Sequence, residues 1–135
     1  MLKKLSVIPM ALLATVAIAP TAMAGTTSTP INEPVVLRGT SGGSQESDCG
    51  FISNQPNEML RVTEGLTSLV FTLESQGQPT LLITGPHGFN QCVMANELSG
   101  GVIEVPGVWE EGNYSLFIGD RAGQENRYTL TIAQE

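Results

Sequence analysis

The sequence has little charge, few basic residues and a single histidine. Charged residues make up 14% of its 135 positions, and six lysines and arginines stand against thirteen acidic residues, for a formal net charge of −7. Nucleic-acid binding requires many basic side chains to neutralise phosphates, so this composition argues against it. The lone histidine, His87, also leaves little material for a catalytic nucleophile–base pair.

Aromatic residues are scarce at 5%, whereas glycine and proline are abundant, with 15 and 8 residues. No stretch after the first 24 residues shows a helical period of apolar positions. With 41% apolar residues the chain can still bury one core of its own. This combination is typical of a single domain made of strands and turns.

The first 24 residues have the pattern of a cleaved signal peptide. Lys3 and Lys4 precede an uncharged run, Leu5–Ala19, and Ala22-Met23-Ala24 supplies the small-x-small pattern that signal peptidase cuts. The alternative is a membrane anchor, but the run is shorter than the roughly twenty apolar residues that span a bilayer. We therefore expect export to the periplasm or the extracellular space, cleavage after Ala24, and no membrane span afterwards.

Cleavage after Ala24 changes the charge balance. It leaves 111 residues with four arginines, no lysine and all thirteen acidic residues, so the formal charge becomes −9. An acidic surface of this size favours solubility and repels anionic membranes. Residues 25–34 are polar and contain prolines, so we expect a flexible lead there. Residues 35–135 then form the single domain.

Two cysteines, Cys49 and Cys92, remain in the expected mature chain. An even number of cysteines in an exported protein predicts a structural disulfide. Their spacing excludes a CxxC redox pair, and a zinc site would need further cysteine or histidine ligands. We therefore predict a disulfide between Cys49 and Cys92.

Short segments with the composition of strands recur along the chain, separated by turns rich in glycine or proline. The predicted strands are residues 35–38, 49–53, 59–63, 68–74, 80–84, 91–95, 102–105, 113–119 and 127–133. Residues 39–48 (GTSGGSQESD) are too rich in glycine and serine for regular structure and predict a flexible loop. Pro106-Gly107 is interpreted as a turn, and residues 120–126 as the connection of a closing hairpin.

Apolar residues occupy alternate positions in the longest predicted strands, and period two indicates half-buried antiparallel strands. The residues predicted to face inward are Leu69, Phe71 and Leu73, then Tyr114, Leu116 and Ile118, then Tyr128, Leu130 and Ile132. The predicted fold class is therefore all-β: an antiparallel, jelly-roll-like β-sandwich of about eight or nine short strands.

The closing stretch resembles the bacterial pre-peptidase C-terminal domains, a family of small secreted β-sandwiches. Residues 109–121 (WEEGNYSLFIGDR) and 128–132 (YTLTI) are similar to the family's final G-x-Y-x-Φ-x-Φ-G…Y-x-L-x-Φ motif, in which Φ is apolar. Residues 69–73 and 79–88, with the turn Gly-Pro-His-Gly, resemble its middle strands. The resemblance covers residues 35–133 and implies a non-catalytic module, which stands here without a peptidase domain.

Some relatives in that family bind calcium, and this chain departs from them in its acidic residues. The segment after Cys92 (VMANE) contains one carboxylate. The scattered candidates for a metal site are Asp48, Asn96, Glu97 and Asp120. Calcium takes six to eight oxygen ligands, usually with several converging carboxylates. We therefore predict no cofactor and treat calcium as the metal to be tested.

Catalysis finds little support in the sequence. His87 lies in a predicted turn, and the serines Ser41 and Ser44 lack the strand–elbow context of a G-x-S-x-G nucleophile. Adjacent carboxylates such as Glu110 and Glu111 point apart on a strand or a turn. We predict that the protein is not an enzyme.

A binding module is the stronger hypothesis, because the loops of a sandwich present side chains on a rigid frame. Phe89 and Trp109 are candidate platforms for a sugar ring or a protein groove, and the alternative for Trp109 is a core position. We predict an exported interaction module whose partner is a protein or a glycan of the envelope or the outside. The alternatives are a small inhibitor of a hydrolase or peptidase, and a weak calcium-binding accessory domain.

Overall fold

The computed structural model describes residues 25–96, 98 and 100–135, and in this part the chain forms eleven strands. The strands are β1 (Gly25–Ser28), β2 (Val35–Thr40), β3 (Gln45–Ser47), β4 (Gly50–Ile52), β5 (Glu58–Val62), β6 (Thr67–Ser75), β7 (Pro79–Thr84), β8 (Asn90–Met94), β9 (Val102–Trp109), β10 (Gly112–Asp120) and β11 (Arg127–Gln134). A 3-10 turn, Pro86–Gly88, separates β7 from β8. No helix among the described residues is long and apolar enough to cross a membrane.

The strands form two sheets. The four-stranded sheet has the order β2-β11-β6-β9, and every neighbouring pair in it is antiparallel. The seven-stranded sheet is built around β10, which pairs with β7 along one edge and with β5 and β4 along the other. β8, β1 and β3 extend it from β7, β5 and β4. The predicted all-β sandwich is confirmed, with eleven strands instead of eight or nine.

The core consists of the apolar stripes that the alternation predicts. Seven of the predicted inward residues are completely buried: Leu69, Phe71, Leu73, Leu116, Ile118, Leu130 and Ile132. Val70 and Thr72, which lie between them on β6, are only partly buried and face outward. Burying a leucine or isoleucine side chain stabilises a fold by roughly 1.5–3 kcal/mol, so these stripes are what holds the two sheets together.

β9 runs through Pro106 and Gly107 without interruption, so the turn predicted there is wrong. β9 is an edge strand that pairs with β6 alone, and Val70 lies opposite Pro106. A proline removes one backbone donor, which an edge strand tolerates and a central strand does not.

The connection between β10 and β11 is not a hairpin, because the two strands lie in different sheets. The chain crosses between the sheets after Asp120, whose carboxylate is completely buried. Its Oδ1 accepts hydrogen bonds from the backbone N–H groups of Ala122 (2.8 Å) and Gln124 (3.2 Å), and its Oδ2 accepts from that of Gln78 (3.0 Å). A polar, glycine-bearing segment of this kind fits both connections, which is why the sequence pattern misled.

The first residues after position 24 belong to the sandwich, which corrects the irregular lead predicted for residues 25–34. β1 pairs in parallel with residues 58–61 of β5. The backbone N–H of Thr29 donates to the carbonyl of Arg61 (2.9 Å), and the Thr29 hydroxyl accepts from the N–H of Thr63 (2.9 Å). Threonine is a β-branched residue that suits a strand, so the polar composition of this segment does not prevent pairing.

The predicted disulfide is confirmed. Cys49 and Cys92 are bonded, with their Cα atoms 5.8 Å apart. The bond joins the residue before β4 to β8 across the larger sheet. Close by, the buried hydroxyl of Thr80 donates a hydrogen bond of 2.7 Å to the carbonyl of Cys49.

Candidate functional site

A cleft of about 660 Å³ opens at one end of the sandwich. One wall is the segment 38–44, which contains the end of β2, and the other is the segment 53–58, which leads into β5. Glu125 and Tyr128 complete the lining. The walls are made mainly of serine, threonine, asparagine and glycine, so the cleft is polar and presents hydrogen-bonding groups. We call this end of the molecule the cleft end.

Glu58 and Tyr128 meet at the floor of the cleft. Tyr128 lies on β11 of the smaller sheet, and its hydroxyl donates a 3.1 Å hydrogen bond to Oε2 of Glu58, the first residue of β5 in the larger sheet. Both side chains are nearly buried, with 3% and 7% of their surface exposed. Burial raises the pKa of the Glu58 carboxyl, against the opposing effect of the hydrogen bond. Burial, and then the negative charge of Glu58, raises the pKa of the Tyr128 hydroxyl.

Gly39 makes this contact between the sheets possible. It lies opposite Tyr128 in the register of β2 and β11. A Cβ atom at position 39 would lie 2.6 Å from the Tyr128 hydroxyl oxygen and 2.8 Å from its Cζ. Any other residue would push the ring away from Glu58. A glycine inside a strand pattern is a signal of such a close approach.

The first wall is fixed, so the flexible loop predicted for residues 39–48 is wrong. Ser41 is completely buried, and its N–H donates to the carbonyl of Asn126 (2.7 Å) while its Oγ accepts from the Asn126 N–H (3.2 Å). The N–H of Gly42 donates to the carbonyl of Ile118 in β10 (2.9 Å). Further along, residues 45–47 form β3 and pair with β4.

The glycines of this wall serve close backbone packing. Gly42 has a φ of +83°, and a Cβ there would collide with the carbonyl oxygen of Gln124. Only glycine adopts this conformation without cost and leaves the space that the neighbouring backbone needs. A run of glycine and serine therefore marks a tightly held segment here, not a mobile one.

Asn57 holds the second wall. Its backbone N–H donates to the carbonyl of Leu116 (2.9 Å), and its side-chain Oδ1 accepts from the N–H of Ile118 (2.8 Å). Its Nδ2 donates to the carbonyl of Thr40 on the opposite wall (3.1 Å). The side chain thus fills the gap that β4 and β5 leave along β10, and it ties the two walls together.

The aromatic residues singled out in the sequence, Phe89 and Trp109, lie elsewhere. They pack with Phe71 and Tyr114 in edge-to-face contacts, with ring centroids 5.2–5.9 Å apart. Trp109 is 4% exposed and therefore has the core position that was its alternative, whereas Phe89 is 36% exposed. We call these four rings the aromatic cluster. A ligand contact by Phe89 or Trp109 stays a prediction.

The candidate metal ligands are engaged in different ways. Among the described residues, no three histidine, cysteine, aspartate or glutamate side chains are grouped as a metal site. Asp120 is buried against backbone N–H groups, and Oδ1 of Asn96 accepts from the N–H of Leu98 (2.8 Å). Asp48 is exposed, and Glu97 lies outside the described residues. Calcium binding therefore stays untested.

Comparison with known proteins identifies the family. The chain is 36% identical over 128 residues to an uncharacterized protein of Synechococcus elongatus, and the match covers 90% of this chain and 93% of that protein. The chain belongs to the family of that cyanobacterial protein. No family model matches it.

Solved structures show where the fold recurs. The pre-peptidase C-terminal domain of collagenase from Bacillus anthracis matches with a TM-score of 0.54 and 12% identity, over 84% of this chain and 98% of the domain. PliG of Salmonella Typhimurium, a periplasmic inhibitor of g-type lysozyme, matches with a TM-score of 0.45 and 12% identity, over 83% of this chain and 100% of PliG. The first match confirms the pre-peptidase C-terminal-like fold, and at this identity it concerns the fold alone.

Proposed function

We propose that the protein is exported, is cut after Ala24, and acts as a non-catalytic module that binds a partner protein in the periplasm or outside the cell. The binding site is the cleft between segments 38–44 and 53–58. The observation that carries this proposal is that both walls of a polar cleft are fixed by hydrogen bonds to β10 and to each other.

Fixed walls favour recognition because binding then orders little of the chain. The rim carries polar side chains that are exposed, among them Ser44, Asn54 and Gln55. Their backbone is held by the sandwich, so a partner would immobilise a few side chains and no loop. Association loses less affinity to conformational entropy in such a preorganised site.

The charge and the lining favour a basic protein surface over a glycan. Glu58 and Glu125 line the cleft with one arginine, Arg38, and the expected mature chain carries a formal charge of −9. Complementary charge steers a basic partner toward such a surface. Sugar sites use exposed aromatic faces, whereas the aromatic residue of this lining, Tyr128, is 3% exposed.

The floor of the cleft supports a binding role more than a catalytic one. A carboxyl with a raised pKa is a feature of many active sites. Here the oxygen of Glu58 that takes part in a described hydrogen bond is turned toward Tyr128, and the described lining contains neither histidine nor cysteine. The pair links one sheet to the other, which is a structural task.

Export is supported by two observations. The first described strand begins at Gly25, directly after the predicted cleavage position, so the whole described sandwich lies beyond the signal-like segment. The disulfide between Cys49 and Cys92 suits an oxidising compartment. Intact mass of the protein recovered from the envelope tests the cleavage: a chain that begins at a residue other than Gly25 would contradict it.

The binding site is tested with two matched asparagine-to-tryptophan variants. Asn54→Trp places a large ring at the rim of the cleft, while Asn32→Trp places the same ring on an exposed loop before the opposite end of β2. Proteins crosslinked to wild type in envelope fractions would be identified, purified and titrated by calorimetry. We expect wild type and Asn32→Trp to bind alike, and Asn54→Trp to weaken binding at least tenfold.

Equal binding by all three proteins would overturn the assignment of the cleft. A glycan array serves as the second arm, and glycan binding blocked by Asn54→Trp would replace the protein partner with a carbohydrate. If the purified partner is a hydrolase or a peptidase, its activity with and without this protein decides whether the module is an inhibitor.

A further inference from the structure

Gly25, the residue that follows the predicted cleavage position, lies beside the buried carboxylate of Glu58. The two residues are opposite each other in the parallel register of β1 and β5. A Cβ atom placed on Gly25 would lie 3.8 Å from Oε1 of Glu58. From standard bond lengths, the backbone nitrogen of Gly25 is then within about 6 Å of that oxygen.

Cleavage changes the chemistry of that nitrogen. While residue 24 is attached, the nitrogen belongs to a neutral amide with one N–H. Hydrolysis of the bond between Ala24 and Gly25 adds water across it, leaving a carboxylate on the released segment and an α-amino group on Gly25. With an ordinary pKa of about 7.7–8.0, that amino group is a cationic ammonium with three donors at neutral pH.

We infer that cleavage after Ala24 creates an ion pair in which the α-ammonium group of Gly25 binds Oε1 of Glu58 at the floor of the cleft. This inference rests on the export and processing proposed above. Tyr128 already donates to Oε2, so the ammonium would complete the partners of the carboxylate. Maturation would then fasten β1 to the sandwich and neutralise the charge beneath the cleft.

The surroundings of Glu58 leave this role open. Tyr128 faces it from β11, and Arg38 and Glu125 line the same cleft. The pKa of Glu58 responds to burial and to the Tyr128 hydroxyl, and not to Arg38 or Glu125. A buried carboxylate is costly without a cationic partner, so an ammonium next to it stabilises the charged form.

The absence of lysine after residue 4 makes the test unusually clean. In the mature chain the α-amino group would be the only aliphatic amine. An acylating reagent would therefore react at one position, and its rate against pH, followed by intact mass, gives the pKa of that group. The protein is taken from the envelope of cells that produce the full chain, as wild type and as Glu58→Gln.

We expect the α-amino pKa of wild type to lie about one pH unit above its ordinary value, because a nearby carboxylate favours the ammonium form. Glu58→Gln should return it to the ordinary value. An ordinary pKa in both proteins would overturn the ion pair. So would a chain that begins at another residue in the cell.

Acetylation of Gly25 supplies a second measurement. It should lower the melting temperature of wild type by about 5 °C at pH 7 and leave that of Glu58→Gln nearly unchanged. Since a raised amine pKa stabilises the fold below the unfolded value, the effect should fade as the pH rises through the folded value. Equal losses in the two proteins would contradict the pairing. Neither measurement involves a partner, so the cleft assignment can fail while the ion pair stands, and the reverse.

Discussion

The two ends of the sandwich are built from opposite materials. Trp109 of the aromatic cluster pairs with Thr67 at the start of β6, whereas Tyr128 at the cleft end pairs with Ser75 at the end of β6. At the first end, large rings fill space by edge-to-face contacts. At the second, glycines and small polar residues bring backbones together by hydrogen bonds.

The difference separates packing from recognition. The aromatic side chains that attract attention in the sequence lie mostly inside, where their size stabilises the fold. The cleft end exposes polar groups on a backbone that cannot move far, because its walls are bonded to β10. Substitutions at the two ends should therefore have unlike consequences.

The largest expected effect is at the aromatic cluster. Trp109→Ala removes a buried indole that contacts three other rings, and we expect the free energy of unfolding to fall by about 3–5 kcal/mol. Phe89→Ala, at a more exposed ring of the same cluster, should cost clearly less. Urea unfolding followed by circular dichroism measures both. Equal losses would show that the cluster is not organised around Trp109.

The disulfide near the cleft wall should matter almost as much. Cys49 and Cys92 are separated by 43 positions, and closing a loop of this length restricts the unfolded chain. The double variant Cys49→Ala/Cys92→Ala should lose roughly 2–5 kcal/mol of stability. Reduced wild type is the control and should melt close to the variant. A loss under about 1 kcal/mol in both would contradict a stabilising cross-link.

Two tyrosine variants compare the ends directly. Tyr128→Phe deletes the donor to the buried Glu58 and should cost about 1–3 kcal/mol, because it removes a partner from a desolvated carboxyl. Tyr114→Phe deletes a 2.8 Å hydrogen bond to the carbonyl of Glu110, an exposed residue that water can reach. That change should cost about 0.5–1.5 kcal/mol. The reverse order of costs would remove the structural role assigned to the floor of the cleft.

The sequence predicts the sheets better than the cleft for a physical reason. Alternation along a strand is a local pattern, so the buried stripe Leu69, Phe71 and Leu73 is visible within five positions. The cleft depends on contacts between residues far apart in the chain. Glu58 and Tyr128 are 70 positions apart, and Ser41 and Asn126 are 85 apart.

Glycine shows the same limit in another way. In the sequence, residues 39–48 have the composition of a mobile loop. The structure shows that Gly39 leaves space for the Tyr128 ring and that Gly42 leaves space for the backbone near Gln124. Composition identifies a residue that can adopt many conformations, but only the surrounding chain decides whether one of them is enforced. Glu58 gave no signal beyond its place at the start of a predicted strand.

The smallest expected effect concerns calcium, the ion that the family resemblance introduces. Asp120 was one candidate ligand, and both its carboxylate oxygens accept backbone hydrogen bonds in the connection between β10 and β11. A cation there would compete with those donors, and calcium usually needs several converging carboxylates. We therefore expect 1 mM calcium to raise the melting temperature by less than about 2 °C relative to EDTA at fixed ionic strength. A rise of about 5 °C that magnesium does not reproduce would correspond to a site tighter than about 0.1 mM. That result would make this connection a ligand site and would give the cleft end a metal-dependent stability that the aromatic cluster lacks.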